Sequence, residues 1–209
     1  TVEAKLFYEY GKASGKWLRY HKNGKKARST EYSNDLMHGR RIFYDNSEKL
    51  QLIRFYNHGT LIGYSYLDKN SEELPMIPIK NETAKIKSYF DNGKVARELE
   101  YKNGDLVNTY SEYYYSGQLE NKMQFVDDEY HGTDIEYYPN GKVRSESQYQ
   151  MGVLQGLAKK YYENGNIKEE INYRNDAKTG EANFYNENGK LIKKEFYFNG
   201  DIYQSENYK

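Results

Sequence analysis

Four histidines, His21, His38, His58 and His131, are the side chains of this 209-residue sequence best suited to proton transfer near neutral pH or to metal ligation. Their separations fit no metal-ligand spacing. His38 and His131 each stand directly before a glycine, in what reads as a closing turn. Acidic runs occur at Asp127-Asp128-Glu129, Glu72-Glu73 and Glu169-Glu170. A calcium loop of the EF-hand kind needs alternate acidic ligands, a central Gly and a distal Glu, and the first run lacks that order. Cysteine is absent, which removes thiolate nucleophiles, zinc ribbons and disulfide scaffolds together. No glycine-rich phosphate loop precedes a helical pattern, and no catalytic Asp–Asn pair follows one. The chain is therefore expected to be no enzyme and to carry no cofactor or metal.

Residue types suited to recognition are better represented. Arg19, Lys22, Lys25, Lys26 and Arg28 cluster around one turn, with Arg40 and Arg41 shortly after. Such a group suits an anionic partner, including an acidic membrane surface. Phe90, Tyr114, Tyr138 and Tyr162 recur at intervals of 24 and would form an aromatic contact strip. Tyrosine is enriched in protein interfaces, and stacked rings would equally suit a glycan. Lysine and arginine number 31 against 31 aspartates and glutamates, so the chain is neutral overall. That balance argues against nucleic acid, whose binding is dominated by phosphate neutralisation. The balance is uneven along the chain: residues 1–62 carry 12 basic against 6 acidic side chains, and residues 63–209 carry 19 against 25. No apolar run approaches the roughly 18 residues of a membrane-spanning helix. A first residue other than Met fits either a cleaved leader or a sequence that begins inside its gene, so a missing signal peptide is no argument for the cytoplasm, and export or the cell envelope is slightly favoured.

These residues are positioned by a repeat. Gly15, Gly39, Gly63, Ala84, Asn108, Gly132, Gly156 and Gly180 share one slot, each 24 residues after the last except for the 21 from Gly63 to Ala84. Five residues past the slot stand Tyr20, Tyr44, Tyr89, Tyr113, Tyr137, Tyr161 and Tyr185, with Asp68 as the exception. Seventeen past it stand Tyr32, Tyr56, Tyr101, Phe125, Tyr149, Tyr173 and Tyr197. Tyr8 fits the same phase, so residues 1–14 read as the second half of an earlier unit. The whole chain, 1–209, reads as a single array.

Each unit has the pattern of a β-hairpin. Thr133–Tyr138 and Val143–Tyr149 are β-forming runs separated by Pro139-Asn140-Gly141-Lys142. Asn-Gly between such runs predicts a tight turn in which both residues take positive φ. A second turn at Asn103-Gly104, Gly152 or Asn199-Gly200 links one hairpin to the next. Helical periodicity is absent. The expected fold is all-β, an elongated array of antiparallel β-hairpins forming a single-layer or partly rolled solenoid. Aliphatic residues are sparse, so stacked aromatics rather than a large dry core should hold it together. The unit 63–83 is irregular: Pro75 and Pro78 each remove a ladder donor, which predicts a bulge, hinge or edge there.

The unit resembles the MORN repeat, in its bacterial variant form. The resemblance rests on Tyr137-Tyr138-Pro139-Asn140-Gly141-Lys142-Val143, then Tyr149, Gly152 and Gly156, with His-Gly closing pairs at His38-Gly39 and His131-Gly132. It extends over roughly residues 3–203. It implies hairpin arrays that bind proteins or, in some members, membranes, and an association with antitoxin or immunity roles. Similar repeats are also appended to lipid kinases, but this chain has nowhere to place a kinase lobe.

Overall fold

The computed structural model describes residues 3–208, and among them every regular element is a β-strand. Strands that pair do so antiparallel, as the hairpin pattern requires. The chain forms two compact units. The first runs to Leu106 and takes in Tyr113–Gly117; the second comprises Val107–Glu112 and the chain from Gln118 onward.

In the first unit, seven strands lie side by side in the order Ala4–Lys5, Gly15–Tyr20, Lys26–Ser33, Leu36–Tyr44, Leu50–Asn57, Thr60–Ser65 and Ile77–Pro78. The hairpin Ala84–Tyr89 with Val95–Lys102 packs against strand Leu50–Asn57. The first unit is thus two-layered at this place. Leu52, Ile53 and Ala96 are fully buried, and Phe43, Tyr56, Ile86, Leu99 and Tyr101 nearly so. Burying one Leu or Ile side chain contributes about 1.5–3 kcal/mol. The few aliphatic residues of the chain are concentrated where two layers can use them.

The second unit contains Leu119–Val126, the hairpins Gly132–Tyr137/Val143–Gln150, Val153–Tyr161/Ile167–Arg174 and Ala177–Tyr185/Leu191–Phe198, and the strand Asp201–Asn207. One buried cluster consists of Ile171, Ala182 and Tyr197, with Tyr173 and Phe184 against them, and Tyr110, Met123 and Phe125 are buried elsewhere in the unit.

The slot residue sits at a bulge. Between Thr30↔Arg41 and Tyr32↔Met37 the second strand carries two extra residues, and Gly39 there has φ +96°. Residues other than Gly, Asn and Asp resist positive φ, so Asn108 can stand there at φ +60°, whereas Ala84, the other substitute, begins a strand and is not at positive φ.

The two turns are the reverse of what the Asn-Gly signal predicts. At Asn140-Gly141 only the glycine has positive φ, +82°, and Gly141 N donates to Tyr138 O at 2.8 Å. This is a three-residue loop closed by a glycine bulge. Paired positive φ belongs instead to the second turn, as at Asn103 (+53°) and Gly104 (+95°), or Asn175 (+49°) and Asp176 (+64°).

Asparagine has a different task in the first turn. Asn140 Oδ1 accepts from Lys142 N at 3.0 Å, while Asn140 Nδ2 donates to Glu163 O, 23 residues on, at 3.3 Å. Asn23 reaches Asn46 O, Asn92 reaches Tyr115 O and Asn164 reaches Glu187 O in the same way. Each rung ties one unit to the next. Asn164→Ala deletes two such bonds, to Glu187 O and from Asn166 N. At an exposed position the expected loss is about 1–2 kcal/mol in a urea titration, and an unchanged midpoint would show the rungs to be idle.

Asp68 does not displace a stacked tyrosine. Asp68 N donates to Glu72 O and Ser71 N to Asp68 O, the bonds that Asp45 makes with Lys49 and Glu48. The bulge before it carries one extra residue, between Phe55↔Gly63 and Tyr56↔Leu61, so the turn arrives one residue early. Ile77–Pro78 then pairs with Thr60–Ser65 and ends the seven-stranded sheet, which makes the proline segment an edge.

Candidate functional site

Strand register decides which of the candidate residues meet. Arg19 lies directly opposite Arg28, Arg28 opposite Phe43, and Thr30 opposite Arg41. Side chains alternate along a strand, so Arg19, Arg28, Arg41 and Phe43 project from one face. Arg54, opposite Arg41, belongs to the same face. The other basic residues leave the group. Lys26 lies opposite Tyr20 and pairs with Glu48 at 3.6 Å, its ammonium 5.3 Å from the centre of the Tyr44 ring. Lys22 and Lys25 are exposed at the turn. Arg40 pairs with Glu73. The cluster around one turn in the sequence is thus split, and residues from later strands complete what remains.

The centre of the resulting group is the Phe43 ring. Guanidinium carbons lie 4.4 Å (Arg97), 4.6 Å (Arg54) and 5.2 Å (Arg41) from its centroid. Arg54 and Arg97 are 4% and 6% exposed, which demands strong compensation. Arg54 Nη1 donates to Tyr101 Oη at 2.7 Å, and Arg97 Nε and Nη2 both donate to Gln51 Oε1, at 3.0 and 2.7 Å. Burial pushes the Tyr101 hydroxyl up to about 12. Burial also acts to raise Tyr56, but Arg54 and Arg41 outweigh it and hold that hydroxyl below its ordinary value. The Arg28 guanidinium is pushed down to about 10, first by burial and then by Arg41 and Arg19.

Arg28 and Arg97 stand thirteen residues past the repeat slot and Arg54 fifteen past it, on the same strand face as the aromatic series seventeen past it. Arginine in those phases is the signal in the sequence for this group. Phe43, Arg54 and Arg97 do not emerge from clustering along the chain.

The aromatic candidates are part of the framework. Phe90 is 1% exposed and meets Tyr115 edge-on at 5.2 Å. Tyr114 is half-buried in the same unit. In the second unit Tyr138 and Tyr162 are half-buried, and their hydroxyls donate to Tyr161 O (2.7 Å) and Tyr185 O (2.8 Å) of the following hairpin. Only the ring faces and edges of these tyrosines remain for a ligand. The adjacent tyrosine series is also engaged: Tyr113, Tyr161 and Tyr185 donate to Glu98, Glu146 and Glu170.

Among the described residues, no group of three or more His, Cys, Asp or Glu is placed to hold a metal ion. His38 and His58 stack at 4.5 Å, and His58 N donates to His38 Nδ1, so this pair serves its turn. What the arginine face offers chemically is a set of forked donors for an oxyanion.

A family model described as MORN repeat variant matches residues 13–34, 82–103, 106–127, 130–151, 154–175 and 178–199, more than half of the chain. No curated protein matches the sequence.

Proposed function

Since the chain belongs to the MORN repeat variant family, whose repeats are generally binding or scaffold modules and typically non-catalytic, we propose that it is a non-enzymatic scaffold that recognises another protein, in the manner of an antitoxin or immunity partner. The carrying observation is how the polar side chains of the repeat are used. Asparagines at the turns and tyrosines in two series bond to the neighbouring unit, as at Asn140, Tyr138 and Tyr161. A framework so committed supports a surface and leaves little for catalysis. The test is co-expression: the full chain is expected to restore growth when produced with a toxic product of an adjacent gene, and to co-purify with it. Failure of every neighbouring product to bind, under crosslinking as well, would overturn this reading.

A second reading is an envelope-associated module for glycan or anionic lipid, favoured by the exposed Lys22 and Lys25 at one turn tip. Sedimentation of the full chain with cell-wall material and with anionic liposomes separates it from the first.

A further inference from the structure

We propose that the face bearing Arg19, Arg28 and Arg41 is a docking site for the carboxylates of an acidic, extended segment of a partner protein. The inference rests on the protein-recognition reading above and names the partner chemistry for it.

The first argument is charge without complement. Arg19 and Arg28 are directly opposed across two strands, an arrangement of like charges that destabilises a sheet. Arg41 comes from the third strand, diagonally beside Arg28. Among the described residues, none of the three has a carboxylate within ion-pair distance; Arg40, next in sequence to Arg41, faces the other way and has one. Arg41 Nε is buried with no hydrogen-bond partner, and its Nη1 meets only the weak acceptor Met37 Sδ at 3.4 Å. Burial and the neighbouring arginines depress the Arg28 guanidinium to about 10, which records the same repulsion. A guanidinium is a forked donor matched to a carboxylate, and two carboxylates on one segment would answer the arginines of adjacent strands, about 4.8 Å apart.

The second argument selects the source of the anion. Arg28 and Arg41 are half-buried within the sheet face, whereas a planar bilayer meets charges that project from a surface, as Lys22 and Lys25 do. A narrow chain reaches recessed groups. The same face carries the stacked rings of Trp17 and Tyr32, 4.7 Å apart, beside the arginines. Trp17 is fixed by its indole N–H donating to Phe7 O at 2.7 Å. Apolar side chains interleaved with the acidic ones would rest on these rings.

The experiment is fluorescence anisotropy of the full chain with a labelled oligoglutamate peptide, at about 50 mM and about 500 mM salt. Wild type is expected to bind at low salt. Arg28→Gln and Arg41→Gln are each expected to weaken binding about tenfold, and Lys22→Gln and Lys25→Gln to leave it within about twofold. Removing one like charge should also raise the melting temperature of Arg28→Gln by about 2–4 °C, so lost binding is not lost folding. Exposed Arg19→Gln serves as the second variant. No binding of the peptide, equal loss in the turn variants, displacement by inorganic phosphate at matched ionic strength, or binding to phosphatidylserine vesicles in place of the peptide would each overturn the site. A co-expressed partner that still binds the Arg28→Gln/Arg41→Gln protein would overturn this site and leave protein recognition standing. Peptide binding without any protein partner would do the reverse.

Discussion

Phe43→Ala is expected to lower the unfolding free energy by about 3–5 kcal/mol, the range for removing a buried aromatic side chain. Global stabilities are about 5–15 kcal/mol, so the first unit should then be marginal. The ring at Phe43 does more than fill volume. Arg41, Arg54 and Arg97 all lie against it, and Arg54 and Arg97 are nearly inaccessible to water. A cation over an aromatic face gains about 0.5–1 kcal/mol when exposed and about 2 when desolvated. Phe43→Leu keeps an apolar side chain but removes that face, and is expected to cost about 2–4 kcal/mol. Urea melts of both variants decide the matter. A Phe43→Leu protein as stable as wild type would mean that the hydrogen bonds to Tyr101 and Gln51 suffice for the arginines, and that the ring is merely bulk.

Asp134→Asn is expected to stabilise the protein at neutral pH. Burial, followed by repulsion from Glu136 and Glu112, pushes the Asp134 carboxyl up to about 6, and its Oδ1 is buried with no hydrogen-bond partner. The folded state therefore holds this proton more tightly than the unfolded chain, whose ordinary value is near 3.8. Stability from this group is full below about pH 4, is lost as the pH rises to about 6, and stays lost above. A shift of this size would correspond to about 3 kcal/mol, but the side chain is partly solvated, and screening reduces this to about 1–2 kcal/mol. In melts between pH 4 and 8, Asp134→Asn should gain that amount above pH 6 and flatten the dependence between. A wild-type curve that rises over pH 4–6, with no gain in the variant, would contradict the assignment.

The repeat, the strand class and an interruption at the proline segment were legible because they depend on which residue type recurs at which spacing. Other features depend on partners that spacing does not reveal. Asn-Gly points to a turn, but whether Asn140 contributes its backbone or its amide is decided by a carbonyl 23 residues away. Asp68 looked like a lost tyrosine because counting assumes a constant frame, and the bulge before it is one residue short. The basic residues around Asn23-Gly24 looked like one cluster because they are close in the chain. The bulge between Arg19 and Tyr20 turns Lys26 to the other face, towards Glu48, and leaves Arg28 diagonally beside Arg41. Buried arginine was the least legible feature, since composition alone assigns arginine to water. Only the second layer, supplying Tyr101 and Arg97, makes a place for it.

The asparagine rungs also bear on how such a molecule changes in length. Asn140 bonds to the carbonyl of Glu163, and Asn164 to that of Glu187, at the same place in the following hairpin. Excision of residues 156–179 would leave Asn140 facing Glu187 with the same atoms in reach. Gene duplication or loss by whole modules therefore requires no fresh solution to the join, whereas a frame change of a single residue has to be absorbed by a shorter bulge, as it is before Asp68. Copy number becomes the variable most open to selection, and the number of strands can change without redesigning the repeat.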